Sequence, residues 1–353
     1  MKSLSRLLRF AVVLFLLALA LTIAGLNSWR TMQEDYRGFE GDAVFVEVER
    51  GMSTEEIAER LADSGVIAQR WHFRLLRYLR PGAVLQAGEY RFSKPASVLD
   101  VFDRIRRGDI YFVSISIPEG ANIFEIASIL GRSDLRQAAD FLQHAKDPAL
   151  IKDIAPEAPS LEGYLFPSTY QFLRRTTSAE ICKRLTDEFR SQWKALGSPN
   201  DVHRMVTVAS LVEKETSIDA ERDDVSSVYW NRINEGMRLD CDPTVIYAAL
   251  LEGRYRGTIY LSDLQRDHPY NTYRRSGLPP GPIANPGTAA LRAAIHPAQT
   301  KYLFFVAKGD GSGGHRFSET LTAHTKAVKL YRNAIQSNGQ SRDKANPTSG
   351  GNP

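Results

Sequence analysis

The sequence predicts an α+β protein with an N-terminal transmembrane helix, a small β/α subdomain and a larger mixed α+β domain built round a buried helix. Three observations predict it. Phe10 to Leu26 is apolar apart from Thr22 and Gly25. A strand, Gly-turn, helix pattern occurs twice in the first 130 residues or so. A helical run beginning at Val202 is apolar round most of its circumference, as in a helix enclosed by protein.

The apolar run gives about 26 Å of helix against a hydrocarbon core of roughly 30 Å, and Leu7 and Leu8 extend it. Lys2, Arg6 and Arg9 precede the run and only Arg30 follows closely, which predicts a cytoplasmic N-terminus and an extracytoplasmic remainder. A cleaved signal peptide processed at Ala18-Leu19-Ala20 is the alternative. The apolar run continues past that site and is longer than a usual signal core, so a retained anchor is expected. The expected organisation is a cytoplasmic N-terminus over 1–9, an anchor over 10–28, a linker over 29–41, a subdomain over 42–110, a main domain over 111–335 and a disordered tail over 336–353.

In the subdomain, Phe45-Val46-Glu47-Val48 alternates as a strand, Gly51 turns the chain, and a helix starts at Ser53 or Thr54. The plan returns 69 residues later: Ile115 and Ile117 stand for Val46 and Val48, Gly120 for Gly51, and Glu125-Ile126-Ala127 with Leu130 for Glu56-Ile57-Ala58 with Leu61. This unit resembles LysM, a small module that binds peptidoglycan glycan; a generic β-turn-α packing unit shares the pattern.

Glu213 ends the buried run Val206, Val208, Ala209, Leu211, Val212. Apolar surroundings disfavour the charged form of a carboxyl, which suits it to general-acid work. Glu215, two residues on, lies about 200° round the helix axis, so the two carboxyls face different ways and one is expected in solvent. Tyr164, Phe166 and Tyr170, in a Gly- and Pro-bearing segment, offer flat faces for sugar rings or for core packing. Asp242 precedes Pro243 and suits a helix start. The Pro-rich stretch from His268 to Gly287 is too stiff for helix or central strand, and long loops of that kind are usually functional.

Composition excludes several chemistries. No two of the seven histidines lie within five residues of each other, and thiolate zinc spacing is absent, so no metal site is expected. Net charge of +4 on 353 residues implies no nucleic-acid partner. Gly309 to Gly314 has one glycine too many for a serine-protease nucleophile loop and reads as a hairpin tip. Cys182 and Cys241 form no disulfide framework; a bridge and two buried thiols both remain open.

Taken in order, LEGYLFPSTY, ASLVEKET, NRINEGMRLDCDPTVIY, PYNTY, GLPPGPIANPG and YLFFVAKGDGSGGHRFSET resemble the endolytic murein transglycosylase MltG (YceG-like) family over about 300 residues. Ser168 and Asp240 depart from the Asp and Gln common there. The resemblance implies cleavage of the MurNAc–GlcNAc β-1,4 bond of nascent peptidoglycan to 1,6-anhydroMurNAc ends, which sets strand length. It also implies Glu213 as catalytic residue, no cofactor, and a place beside the membrane-bound peptidoglycan synthases. Tyr164, Phe166, Asp242, Tyr270, Asn271, Thr272 and Tyr273 are the expected substrate-binding residues, with Asn271 suited to an N-acetyl group. Two other functions stay open: a lysozyme-like muramidase with Asp242 or Asp240 as second carboxylate, and an anchored glycan-binding protein without activity.

Overall fold

The computed structural model describes residues 2–135 and 138–345, which divide into two compact units, 1–112 and 113–353.

The first unit begins with one helix, Lys2–Gln33, of which Phe10–Gln33 is long and apolar enough to cross a membrane. Nothing between Asn27 and Gln33 breaks a helix, so it runs on through the start of the stretch expected as linker. The rest of that stretch is pinned as well. Tyr36 and Ala96 exchange backbone hydrogen bonds of 3.1 and 3.2 Å, and the Gly38 N–H donates to the Gly65 carbonyl at 2.8 Å. Strand β1 (Val44–Val48) pairs antiparallel with β2 (Gly88–Phe92), placing Val46 opposite Tyr90. Val46, Val48, Tyr90 and Phe92 point into a core shared with Ile57, Leu61, Phe73, Leu76, Phe102 and Ile105.

The repeat noted in the sequence is present in both units. Gly51 and Gly120 both take positive φ, 87° and 73°, a conformation that costs glycine little. Each turn is followed by a helix with a reciprocal cap, Ser53 with Glu56 before Thr54–Asp63 and Asn122 with Glu125 before Ile123–Gly131. In the second unit β3 (Val113–Ser116) pairs antiparallel with β4 (Thr169–Phe172), a partner more than fifty residues away. The last strands, β5 (Phe304–Ala307) and β6 (His315–Ser318), form the expected hairpin round the Gly-rich tip. Helix Leu321–Ala345 extends into the stretch read as disordered from composition, and 346–353 lie outside the described residues.

Helix Val202–Glu215 is enclosed from Val206 to Leu211 and Val212, every residue of that stretch being buried. Helix Thr288–Ile295 packs on it with Ala290, Ala293 and Ala294, small side chains that permit close approach. Ser210 and Thr207 sit on the buried face without loss, because their hydroxyls donate to the Thr207 and His203 carbonyls within the helix. Cys182 and Cys241 are both buried free thiols.

Three loops around this helix are joined by Asn285. Its Oδ1 accepts from the Gly163 and Leu165 N–H groups, both at 2.9 Å, and its Nδ2 donates to the Ala121 carbonyl and to Glu162 Oε1, both at 2.8 Å. Glu162 also accepts from the Ile123 N–H at 3.0 Å. Burial pushes the Glu162 carboxyl up to about 8 against these hydrogen bonds. Asn285→Ala strands several buried donors and acceptors at once, each worth about 1–3 kcal/mol when unmet. We expect it to destabilise the protein by about 3 kcal/mol or more, read as a fall in the thermal unfolding midpoint of the detergent-solubilised chain. Unfolding at the wild-type temperature would refute the structural weight given to this amide.

Candidate active site

Helix Val202–Glu215 ends in two carboxylates that diverge as the helical angle requires. Neither is in solvent, which corrects the expectation that one would be. Lys214 between them is the exposed residue, its Nζ donating to the Gly120 carbonyl at 3.2 Å.

Glu213 has two firm partners. Its Oε1 accepts from Arg222 Nη1 at 3.2 Å and its Oε2 from the Gly287 N–H at 3.0 Å. Both side chains of the ion pair are 7% exposed, and Arg222 Nε donates to Asp219 at 3.0 Å. The surroundings of Glu213 are therefore not the purely apolar ones expected from its helix, because a guanidinium from the next helix meets it there. Glu119 lies over Gly287, where any side chain would collide with its carboxyl. Desolvation, and then the charge of Glu213, raise the Glu119 carboxyl above its ordinary value.

Glu215 faces the other way, onto a cavity of about 390 Å³. Asp240, Asp242, Tyr273, Arg232 and Phe304 are among its other walls. The carboxyl accepts a hydrogen bond from Cys241 Sγ at 3.2 Å. The buried Tyr229 hydroxyl sits beside both groups, close enough to act on them electrostatically but without a well-formed hydrogen bond. Desolvation raises the Glu215 carboxyl above its ordinary value and the charge of Asp242 adds to the rise, while Cys241 and Tyr229 work in the opposite direction. The carboxyl is thus nearly enclosed by protein yet still reaches the cavity.

The expected substrate-binding residues separate into two groups. Asp242 and Tyr273 line the cavity, with the Tyr273 hydroxyl donating to Asp242 Oδ1 at 2.6 Å. The other five are buried. Tyr164 packs edge-on against Phe189, its hydroxyl 2.9 Å from His203 Nδ1, and Phe166 is in the core. Tyr270 packs on Tyr247. Asn271 was expected to meet an N-acetyl group, but its amide nitrogen donates to the carbonyls of Asp263, Leu264 and Arg266, and its oxygen accepts from the Tyr273 N–H. It shapes the loop that presents Tyr273. Thr272 supports from behind: its hydroxyl accepts from the Cys241 N–H at 3.0 Å and lies 2.9 Å from Thr244 Oγ1.

Arg232, Phe304 and His324 escaped the sequence reading. Arg232 donates to the Leu303 and Leu239 carbonyls and its guanidinium lies 5.1 Å from the Phe304 ring centre, on which His324 stacks from the C-terminal helix. Asp240 takes a positive φ of 47° beside Arg232, at 3.6 Å. The sequence signal for Arg232 is an arginine within an otherwise half-apolar helix, Arg222–Asn234, with carboxylates a few residues beyond.

Arg222→Met leaves the Glu213 carboxylate buried without its guanidinium partner, and we expect a loss of about 3–5 kcal/mol of stability. The double variant Glu213→Met with Arg222→Met, which removes both charges, is expected to regain most of it. Urea unfolding of wild type, Glu213→Met, Arg222→Met and the double variant in a double-mutant cycle checks the coupling, and additive losses would contradict it.

The comparisons with known proteins agree with this architecture. A Bacillus subtilis (strain 168) protein named endolytic murein transglycosylase is 33% identical over 309 residues, covering 82% of this chain and 84% of that protein. A Streptococcus pneumoniae protein of the same name is 28% identical over 300 residues, covering 75% of this chain but 54% of the longer relative. A crystal structure of a yceG-like protein from Listeria monocytogenes matches with a TM-score of 0.50 at 30% identity, covering 81% of this chain and 99% of that one. The YceG-like family profile matches residues 46–330, most of the chain, and the chain belongs to that family.

Proposed function

We propose that this chain is a membrane-anchored endolytic lytic transglycosylase that cuts the MurNAc–GlcNAc β-1,4 bond of nascent peptidoglycan, with Glu215 as its acid and base. One observation carries the choice of residue: Glu215, at the end of the buried helix, lines a cavity, and desolvation raises its carboxyl above the ordinary value. Glu213, which the motif resemblance pointed to, is occupied by Arg222 and the Gly287 N–H.

In this reading Glu215 donates its proton to the departing GlcNAc oxygen as positive charge develops at C1 of MurNAc. The resulting carboxylate takes the proton of the MurNAc 6-hydroxyl while that oxygen bonds to C1, closing the 1,6-anhydro ring and restoring the acid. The nucleophile belongs to the substrate, so it has the advantage of proximity over water and the chemistry calls on no metal or cofactor. Cys241 S–H stabilises the carboxylate between the two proton transfers. Asp242, held by Tyr273, supplies negative charge near the developing cation.

The N-terminal helix serves as the anchor, with the N-terminus in the cytoplasm and the two units in the periplasm, beside the synthases that make the glycan. The first unit, with its Gly turn, capped helix and antiparallel strand pair, is read as a LysM-like module for the same glycan.

Digestion of nascent glycan by the full chain in detergent, followed by mass analysis, tests the reaction: anhydro products are lighter by one water than those of a muramidase acting through Asp242 or Asp240. Glu215→Gln is expected to lower the rate about a hundredfold or more. Glu213→Gln is expected to act mainly on stability, and the reverse pattern in folded variants would move the acid to Glu213. A glycan binder without activity would release no cleavage products from wild type or either variant. The pH profile provides a separate check. The acid must be protonated, so activity falls as pH rises through the Glu215 pKa; Cys241→Ala removes an interaction that lowers that pKa and is expected to shift the alkaline limb to higher pH.

A further inference from the structure

We infer that the first unit is seated rigidly on the lipid headgroup layer, with Trp71 as a membrane-contacting residue. The inference rests on reading the N-terminal helix as a membrane anchor and goes beyond it by assigning an interface to the folded unit itself.

The helix Lys2–Gln33 is unbroken. Its exposed apolar face reaches Leu26, whereas Met32 is 1% exposed within the core of the first unit. Six residues of helix span about 9 Å. The headgroup region on each side of a bilayer is roughly 5–8 Å deep, so the folded core begins about where the headgroups end. Little length remains for a flexible tether, and the hydrogen bonds of Tyr36 and Gly38 hold the chain after the helix against the unit.

Trp71 lies at the corresponding level. It starts helix Arg70–Leu79, and its ring centre is 3.9 Å from that of His72. His72 Nε2 is 3.4 Å from Thr31 Oγ1, on the anchor helix. Trp71 also lines a cleft of about 470 Å³ together with Asn27 and Ser28, the first polar residues after the apolar run. It remains 45% exposed, and Trp29 on the anchor itself is 47% exposed. An indole has an apolar body and one N–H donor, and such rings concentrate at the level of lipid headgroups. The occupant of this face is therefore the headgroup layer of the membrane that holds the anchor.

The experiment uses the full chain in vesicles of palmitoyl-oleoyl phosphatidylcholine and phosphatidylglycerol, with a nitroxide placed at Trp71→Cys and, in a separate protein, at Leu16→Cys within the anchor. The native thiols are buried and remain unlabelled. Relaxation by oxygen, which partitions into lipid, is compared with relaxation by a water-soluble nickel chelate. The label at 71 is expected to show an oxygen-to-nickel ratio between that at 16 and that of free nitroxide in buffer. A label at 16 deep in hydrocarbon with a label at 71 matching free nitroxide would overturn the inference while leaving the anchor intact. If the label at 16 also matches free nitroxide, the anchor reading fails and the inference falls with it.

Discussion

Two carboxylates at the end of one enclosed helix impose the constraint from which the site follows. A carboxylate removed from water must be paired, hydrogen-bonded or protonated. Glu213 is paired, and its partners are structural: Arg222 opens the next helix and Gly287 closes the Pro-rich loop. These contacts tie the next helix and the Pro-rich loop to the C-terminal end of helix Val202–Glu215. Glu215 receives a thiol donor and has a phenol beside it, and desolvation outweighs both, raising its carboxyl above the ordinary value. The same end of the helix thus carries one carboxylate in a buried ion pair and one carboxyl beside a thiol on the wall of a cavity.

The loops around the helix follow a similar division. Asn285 satisfies backbone groups in two other loops and meets Glu162, so the segments at 121, 163–165 and 285 behave as one wall. Asn271 does the equivalent within its own loop, fixing the backbone that presents Tyr273. Thr272 then holds Cys241, which in turn meets Glu215. The polar residues that look most like ligand contacts are therefore often one step behind the cavity, positioning the side chain that faces it.

Local signals made much of the fold legible in the sequence. The repeated Gly turn with a Glu three residues into each helix specifies a positive-φ corner and a cap without reference to distant chain. The enclosed character of the 206–212 stretch was equally visible, because apolar residues occur round the whole helix rather than along one stripe. What periodicity could not decide was which of Glu213 and Glu215 meets a partner. That depends on Arg222 reaching one face and on Asp242, Tyr273 and Phe304 gathering round the other, all arrangements of tertiary structure. Asn271 was misplaced for a related reason: an amide in a Pro-rich loop suggests a ligand contact, but three carbonyls within eight residues take up its donor group.

The cavity also bears on how one acid can suffice on the proposed reading. Hydrolysis with two carboxyls requires the second to attack C1 or to activate water, and therefore to reach the reacting carbon with a free oxygen. Asp242 caps its approach differently: one of its oxygens accepts the Tyr273 hydroxyl at 2.6 Å, and the residue opens helix Asp242–Leu251, whose N-terminal dipole favours the charge. These interactions hold the Asp242 carboxylate in place on the wall of the cavity. Such a charge does two things at a distance without bonding to the sugar: it helps keep the proton on Glu215, and it favours the positive charge that forms as the glycosidic bond breaks. A substrate hydroxyl already held beside C1 then needs only a base to accept its proton, and the carboxylate left by the first transfer is that base.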